Sequence, residues 1–351
     1  MPVLSLLGRA VYGTAKLLRL AFRPVRRSVR LFWHLLRYEP PGELQHCPAC
    51  GGAVRHLAPL GSNRRTWTYG FISGCVRCGI LFANPLPSSE ELEATYSADG
   101  RWGRHRQDEQ EKQVSRRRLE ALFAPVAAEL DVLHPPAGAT VLDIGCGLGG
   151  MLDALAAQGW TTYGIDPATK VAFARHRELQ SIPAEPRFDL AVLHHVLEHV
   201  TDPLAILRSL GSAVRQGGFL LISVPNLDDV AEHGELKYCI RSEVHVLAYS
   251  TAALTWLAAE AGFRVVHSGR GPGNPRQRVV LARREDGLLT RPTAALASAR
   301  AALASYEAAH PDAVAGPRHL PVRMRAAYLD LEHSEWRLTR NASEPPSSRA
   351  R

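Results

Sequence analysis

The run Thr140-Val-Leu-Asp143-Ile-Gly145-Cys-Gly147-Leu-Gly149-Gly150 limits what this chain can become more than any other stretch. It reads as an apolar strand ending in an acid, a glycine-rich turn and then an amphipathic helix over 151–158. Glycines at such a turn let the backbone come close to a bound ligand. Strands and helices alternate around it across 136–285, the pattern of a doubly wound α/β sheet with parallel strands. Taken alone the turn is ambiguous, because Gly145, Gly147 and Gly150 also satisfy the dinucleotide-binding G-x-G-x-x-G spacing. A hydride-transfer enzyme therefore competes at this point.

Three features weigh against hydride transfer or refine the site. Asp143 stands before the first glycine, where nicotinamide-binding folds usually carry an apolar residue. A second strand, Thr161-Thr-Tyr-Gly-Ile165-Asp166, ends in a carboxylate able to accept both hydroxyls of a ribose, which fits either cofactor. A later strand, Phe188-Asp189-Leu-Ala-Val-Leu-His194, runs into the polar turn His195-Val-Leu-Glu198-His199. Ligands of this fold bind at that carboxyl edge of the sheet.

Asp-x-Gly-x-Gly-x-Gly, Gly-Ile-Asp-Pro, the Val-Leu-Glu-His-Val turn and Gly-Gly-Phe-Leu-Leu-Ile-Ser-Val-Pro-Asn together resemble successive motifs of class I S-adenosylmethionine-dependent methyltransferases, over roughly 137–285. The resemblance is strongest to bacterial enzymes of the Leu-Glu-His type, several of which carry an N-terminal Cys-x-x-Cys ribbon. It implies a Rossmann-like domain in which Gly145, Gly147 and Gly149 line the cofactor loop. Asp143 would lie near the amino-acid end of S-adenosylmethionine and Asp166 at its ribose. His194 and His195 would border the adenosine and the methyl donor, with Glu198 and His199 at the mouth for the acceptor. His245 and Tyr249-Ser250 resemble the segment after the family's fifth strand. Histidine is the natural base near neutral pH, which makes His199, His195 and His245, in that order, the candidate catalytic bases. The stretch 166–189 is shorter than the family's, and the usual Gly-Asp turn at adenine is missing. Either 171–174 serves as the third strand or that strand is lost, and His176 or Glu178 stands in at adenine.

Ahead of this domain, Cys47-Pro-Ala-Cys50-Gly and Cys75-Val-Arg-Cys78-Gly form two tight turns that each offer two thiolates. Two such knuckles complete a closed tetrahedral site, so Cys47, Cys50, Cys75 and Cys78 are read as ligands of a structural zinc ion. Six cysteines so unevenly placed do not form a secreted disulfide framework, which points to a reducing cytoplasm.

Charge is equally uneven. Of the net +8, residues 1–40 hold +7, from eight Lys/Arg against Glu39 alone. Arg9, Lys16, Arg23, Arg30 and Arg37 recur every seventh position opposite an apolar stripe that includes Leu4, Leu7, Val11 and Leu18. Such a helix suits a membrane interface, its basic side towards anionic headgroups; a helix docked on this protein's own core or on a partner subunit, and a cleaved targeting peptide, are the other readings. The remaining body is nearly neutral, so nucleic acid is not the expected partner. The expected organisation is a basic helical arm over 1–40, a zinc ribbon over 41–87, a helical region over 88–135, the Rossmann-like domain over 136–285 and a helical then disordered tail over 286–351. Ser88 or Ser89 with Glu91 is expected to cap the first helix after the ribbon. The expected activity is methylation of a small-molecule, sugar or lipid-linked glycan acceptor by a peripheral enzyme at the cytoplasmic membrane face. The alternatives are an RNA methyltransferase gripping phosphate with its arm and with Arg64, Arg65 and Trp67, or a binding scaffold that kept the fold and lost the activity.

Overall fold

The computed structural model describes residues 43–62, 69–96, 121–132, 134–166, 177–241, 244–271, 273–287, 290–293 and 295–310. The basic arm, Arg64, Arg65, Trp67, the stretch 171–174, His176 and the tail beyond 310 lie outside them.

The first three strands, β1 (Val54–Ser62), β2 (Tyr69–Cys75) and β3 (Leu81–Asn84), form an antiparallel meander around the cysteine turns. Helix α1 (Ser89–Tyr96) follows. Its start is closed reciprocally: Ser88 Oγ accepts the Glu91 amide at 3.1 Å, and Glu91 Oε2 accepts the Ser88 amide at 2.9 Å. This is the capping arrangement expected of serine and glutamate three residues apart.

Next come β4 (Thr140–Ile144), α2 (Gly150–Ala156), β5 (Thr161–Ile165), β6 (Arg177–Glu178) and β7 (Phe188–His194). A 3-10 turn (Leu197–His199) leads to α3 (Pro203–Ala213) and β8 (Val214–Pro225). Two short helices, α4 (Val230–His233) and α5 (Leu236–Cys239), precede β9 (Leu247–Ala248). The chain then forms α6 (Thr251–Glu260), β10 (Phe263–Gly271), β11 (Asn274–Arg284) and α7 (Ala295–Ala309).

Seven of these strands make one sheet, in the order β10-β11-β8-β7-β4-β5-β6. The five from β8 to β6 are parallel, and β11 is antiparallel to both neighbours. Burial on both faces is visible residue by residue. Leu142, Ala191, Leu193, Leu220 and Ile222 belong to one apolar cluster, and Val141, Leu190, Val192 and Leu221 to another. Alternate side chains thus fill opposite layers, which is why these strands read as unbroken apolar runs.

On the edge beside β5 the described residues place a two-residue strand, Arg177–Glu178, so a third strand is present there. Two guanidiniums hold it there. Arg177 Nη1 and Arg187 Nη2 lie 2.6 and 2.7 Å from the Tyr163 hydroxyl, and the Arg187 guanidinium sits over the Tyr163 ring at 4.4 Å. A sequence search for an apolar strand passes over such a polar clamp.

The ribbon is fused to the domain behind it. β9 pairs with β3, Leu81 opposite Ala248 and Phe82 opposite Leu247. Cys47, Cys75, Cys78, Ile80 and Phe82 share an apolar cluster with Leu193, Ile222, Tyr249 and Trp256. Helix α7 closes over the meander, and Gly79, at φ 75°, is the contact point: a Cβ there would lie 2.5 Å from the Ala295 carbonyl carbon. Gly138 also has positive φ, at 80°, but a Cβ there would meet nothing within 4 Å. Gly138→Ala should therefore cost the left-handed backbone penalty alone, about 1–2 kcal/mol. Gly79→Ala adds a backbone collision and should cost about 3 kcal/mol or more. Urea midpoints of the two variants check the difference.

Candidate functional site

At the carboxyl edge of the sheet the chain winds one way from β4 and the other way from β7, so the loops after these strands flank a crevice. The first loop holds the glycines. Gly145, Gly147 and Gly149 have φ of 73°, 54° and 76°, and Gly149 is the left-handed N-cap of α2. A Cβ on Gly147 would meet nothing within 4 Å, which leaves open space above the turn. Gly147 donates its amide to Asp166 Oδ2 at 2.8 Å, tying the loop to the end of the second strand. The turn thus sets open space over glycine backbone beside the carboxylate that follows the adjacent strand. Glu178, on β6, pairs with Gly164 of β5.

Asp143 is buried below the loop. Burial, reinforced by the charge of Asp166, raises its carboxyl well above the ordinary aspartate range. A carboxyl raised in the folded state adds stability below its unfolded pKa, about 3.9, and loses it as pH rises through the folded value. At neutral pH the group therefore costs the unliganded protein stability. Asp143→Asn should raise the thermal midpoint of the unliganded protein at pH 7, and the gain should vanish below about pH 4. Thermal scans across that range give the test.

The second loop carries the histidines. His194 ends β7 and packs edge-on against His195, ring centroids 4.7 Å apart. His195, at φ 54°, is the one non-glycine residue of positive φ among the described residues, a strained placement of the kind found at functional sites. Its Nδ1 lies 2.7 Å from Glu198 Oε1. Glu198 is fully buried, with Oε2 lacking a hydrogen-bond partner. Burial would push its carboxyl up, but His195, His199 and His245 around it prevail and bring it down to about 2. His199 Nδ1 donates to the Val244 carbonyl at 2.9 Å, and His245 Nδ1 donates to the Tyr238 carbonyl. The rings of His199 and His245 meet edge-on at 4.8 Å. Burial, with His199 alongside, holds the His245 imidazole down at about 4. The two loops touch, since a Cβ on Gly145 would lie 2.7 Å from Val196 Cγ2.

His194, His195, His199 and His245 thus gather with Glu198 in one place, while Tyr249 and Ser250 have other duties. Tyr249 is buried and donates to the Leu197 carbonyl, and Ser250 caps α6 through the Ala253 amide. Sequence reading passed over Tyr238, whose ring lies 5.7 Å from His245, and Asn226 at the end of β8. Asn226 is a buried hub, donating to Asp229 and the Pro275 carbonyl and accepting from Arg278. Its position directly after a Val-Pro strand end was the available signal.

The four ribbon cysteines form a second cluster. Cys47 and Cys78 sulfurs lie 3.7 Å apart and those of Cys50 and Cys75 3.4 Å apart, with no disulfide among them. Tetrahedral zinc with Zn–S bonds of about 2.3 Å requires sulfurs roughly 3.8 Å apart, so the cage fits that ion. Gly51 and Gly79, each directly after a Cys-x-x-Cys pair, adopt the positive φ that the knuckles need.

Residues 109–268 match a family described as a methyltransferase domain. The ubiquinone biosynthesis O-methyltransferase of Methylobacterium sp. strain 4-46 is 36% identical over 108 residues, 26% of this chain and 43% of that protein. The Paracidovorax citrulli enzyme of the same name is 34% identical over 116 residues, covering 28% and 48%. The chain thus spans less than half the length of these curated relatives. Among solved structures, the 1,6-didemethyltoxoflavin-N1-methyltransferase of Burkholderia thailandensis, with bound S-adenosylhomocysteine, is similar with a TM-score of 0.46 and 21% identity, over 59% of this chain and 96% of that one.

Proposed function

From the match of residues 109–268 to a methyltransferase domain family and from the doubly wound sheet, we propose that the chain moves the methyl group of S-adenosylmethionine to a small-molecule acceptor, by preference to a hydroxyl. The observation that carries this reading is the contact between two preformed parts, the glycine cradle tied to Asp166 and the His195–Glu198 pair. Gly145, Gly147, Gly149, Asp143 and Asp166 would hold the cofactor, with His194 beside its adenosine. When bound, it supplies a methyl group activated by the sulfonium.

The protein's own task is to align the acceptor and remove its proton. His195 suits that task better than His199, which the sequence ranked first. The Nδ1 of His195 is held by the buried Glu198 carboxylate, which fixes the tautomer and stabilises the imidazolium once Nε2 has taken a proton. His199 and His245 instead spend their Nδ1 protons on main-chain carbonyls.

Calorimetric titration with S-adenosylmethionine and S-adenosylhomocysteine, with NADH as control, tests the cofactor. Micromolar binding of the first two is expected. No binding would favour a scaffold without activity, and NADH alone would make this a hydride-transfer fold. With an accepted substrate in hand, His195→Ala should lower kcat by about 10²–10⁴ while S-adenosylhomocysteine binds unchanged.

Supporting a finer placement, the seven-residue basic spacing of the first 38 residues suits an anionic membrane surface on the cytoplasmic side. The acceptor would then be lipid-linked, as for a glycan on a membrane carrier, and the ribbon's zinc would be structural. No helix among the described residues is long and apolar enough to cross a membrane. Deleting residues 1–38 should move the protein from the membrane pellet to the supernatant without loss of cofactor binding. Retention in the pellet would sink the surface-binding role.

A further inference from the structure

Proton removal by His195 accounts for Glu198 but leaves the meeting of His199 and His245 with it unexplained, because it needs neither of those two rings. We propose that these three residues form a binding site for a divalent first-row transition cation. One ligand atom from each lies within 4.8 Å of the others. The histidines come from segments far apart in the chain, one on the turn after β7 and one directly before β9, so their meeting is a product of the fold.

Both imidazoles are oriented in the manner of metal ligands. With Nδ1 donating to the carbonyls of Val244 and Tyr238, the lone pair of each ring is on Nε2. Metal-bound histidines are fixed in this way by a carbonyl or carboxylate behind the ring. His199 Nε2 stands 3.9 Å from Glu198 Oε1. Glu198 completes the set: Oε1 accepts the hydrogen bond from His195 Nδ1, while Oε2 is buried with no donor among the described residues. A buried carboxyl oxygen left so is costly, and a cation at the cluster would satisfy it.

Two imidazole nitrogens with one carboxylate favour zinc, cobalt, iron or manganese over calcium. Three protein ligands, unlike the four thiolates of the ribbon, leave coordination positions for water or an oxygen ligand in the crevice. His195 then serves as the outer partner that orients the carboxylate.

The test uses the full chain with zinc in its cysteine cluster, incubated with excess Co2+, desalted and assayed for both metals. Circular dichroism and S-adenosylhomocysteine binding are recorded on the same samples. Stoichiometric cobalt beyond the retained zinc is expected, with visible d–d absorption and no thiolate-to-cobalt charge-transfer band. His245→Ala and His199→Gln should each lower the cobalt about tenfold or more and leave zinc in place. Wild-type protein that desalts free of cobalt overturns the site. So does cobalt that merely displaces zinc and shows the thiolate band, or cobalt undiminished in both folded variants. The cobalt count is independent of cofactor binding. Wild-type protein that holds cobalt without binding S-adenosylhomocysteine keeps the metal site and removes the methyl-transfer reading.

Discussion

The pairing of β4 with β7 governs the rest of the molecule. Val141, Leu142, Asp143 and Ile144 lie in parallel register with Leu190, Ala191, Val192 and Leu193, at the point where the sheet's winding reverses. A parallel pair so placed must send its two following loops to different sides, which opens a crevice that needs no further carving. Two polar residues stand at the carboxyl ends of these strands. Asp143 lies below the glycine turn, and His194 leads into the histidine turn. Apolar layers on both faces make the pair rigid, and that rigidity lets a left-handed histidine and a buried glutamate persist beside it.

The small sheet contributes more than a cap. Through β3 and β9 it fixes the segment that carries His245, since Ala83 donates its amide to the Val246 carbonyl, one residue beyond that histidine. The cysteine cage is therefore mechanically linked to the histidine cluster by a short run of backbone. Loosening the cage would be felt at the crevice, a coupling carried by one identifiable strand and the apolar cluster common to both parts.

Much of this was legible in the residues themselves. Apolar runs closed by an acid or a histidine marked β4, β5 and β7, because strands buried on both faces need no alternation. Ser88 and Glu91 announced the start of α1, and the paired cysteines announced the cage. What escaped reading depends on distance in the chain or on polar contacts. Nothing local to 171–187 says that Arg177 and Arg187 converge on Tyr163, and the short edge strand follows from that clamp. Likewise, His199 and His245 could be named as candidates, but not as partners, until β9 was seen to fold back. The order of the candidate bases changed for the same reason: which imidazole nitrogen is engaged is set by carbonyls 45 and 7 residues away.

The close approach of α7 to Gly79 has a bearing on how the chain is made. The meander is among the earliest of the described segments to leave the ribosome, yet its sheet is completed by Leu247–Ala248 and its surface is covered by a helix that begins at Ala295. Contacts so distant in sequence are slow to form and leave strand edges uncovered in the meantime. A nascent chain thus carries an unfinished cysteine-rich hairpin until the helix that begins at Ala295 has been made. Early metal capture at the knuckles would protect that hairpin until its late-made partners arrive, which gives the cage a value during biogenesis distinct from any it has in the finished protein.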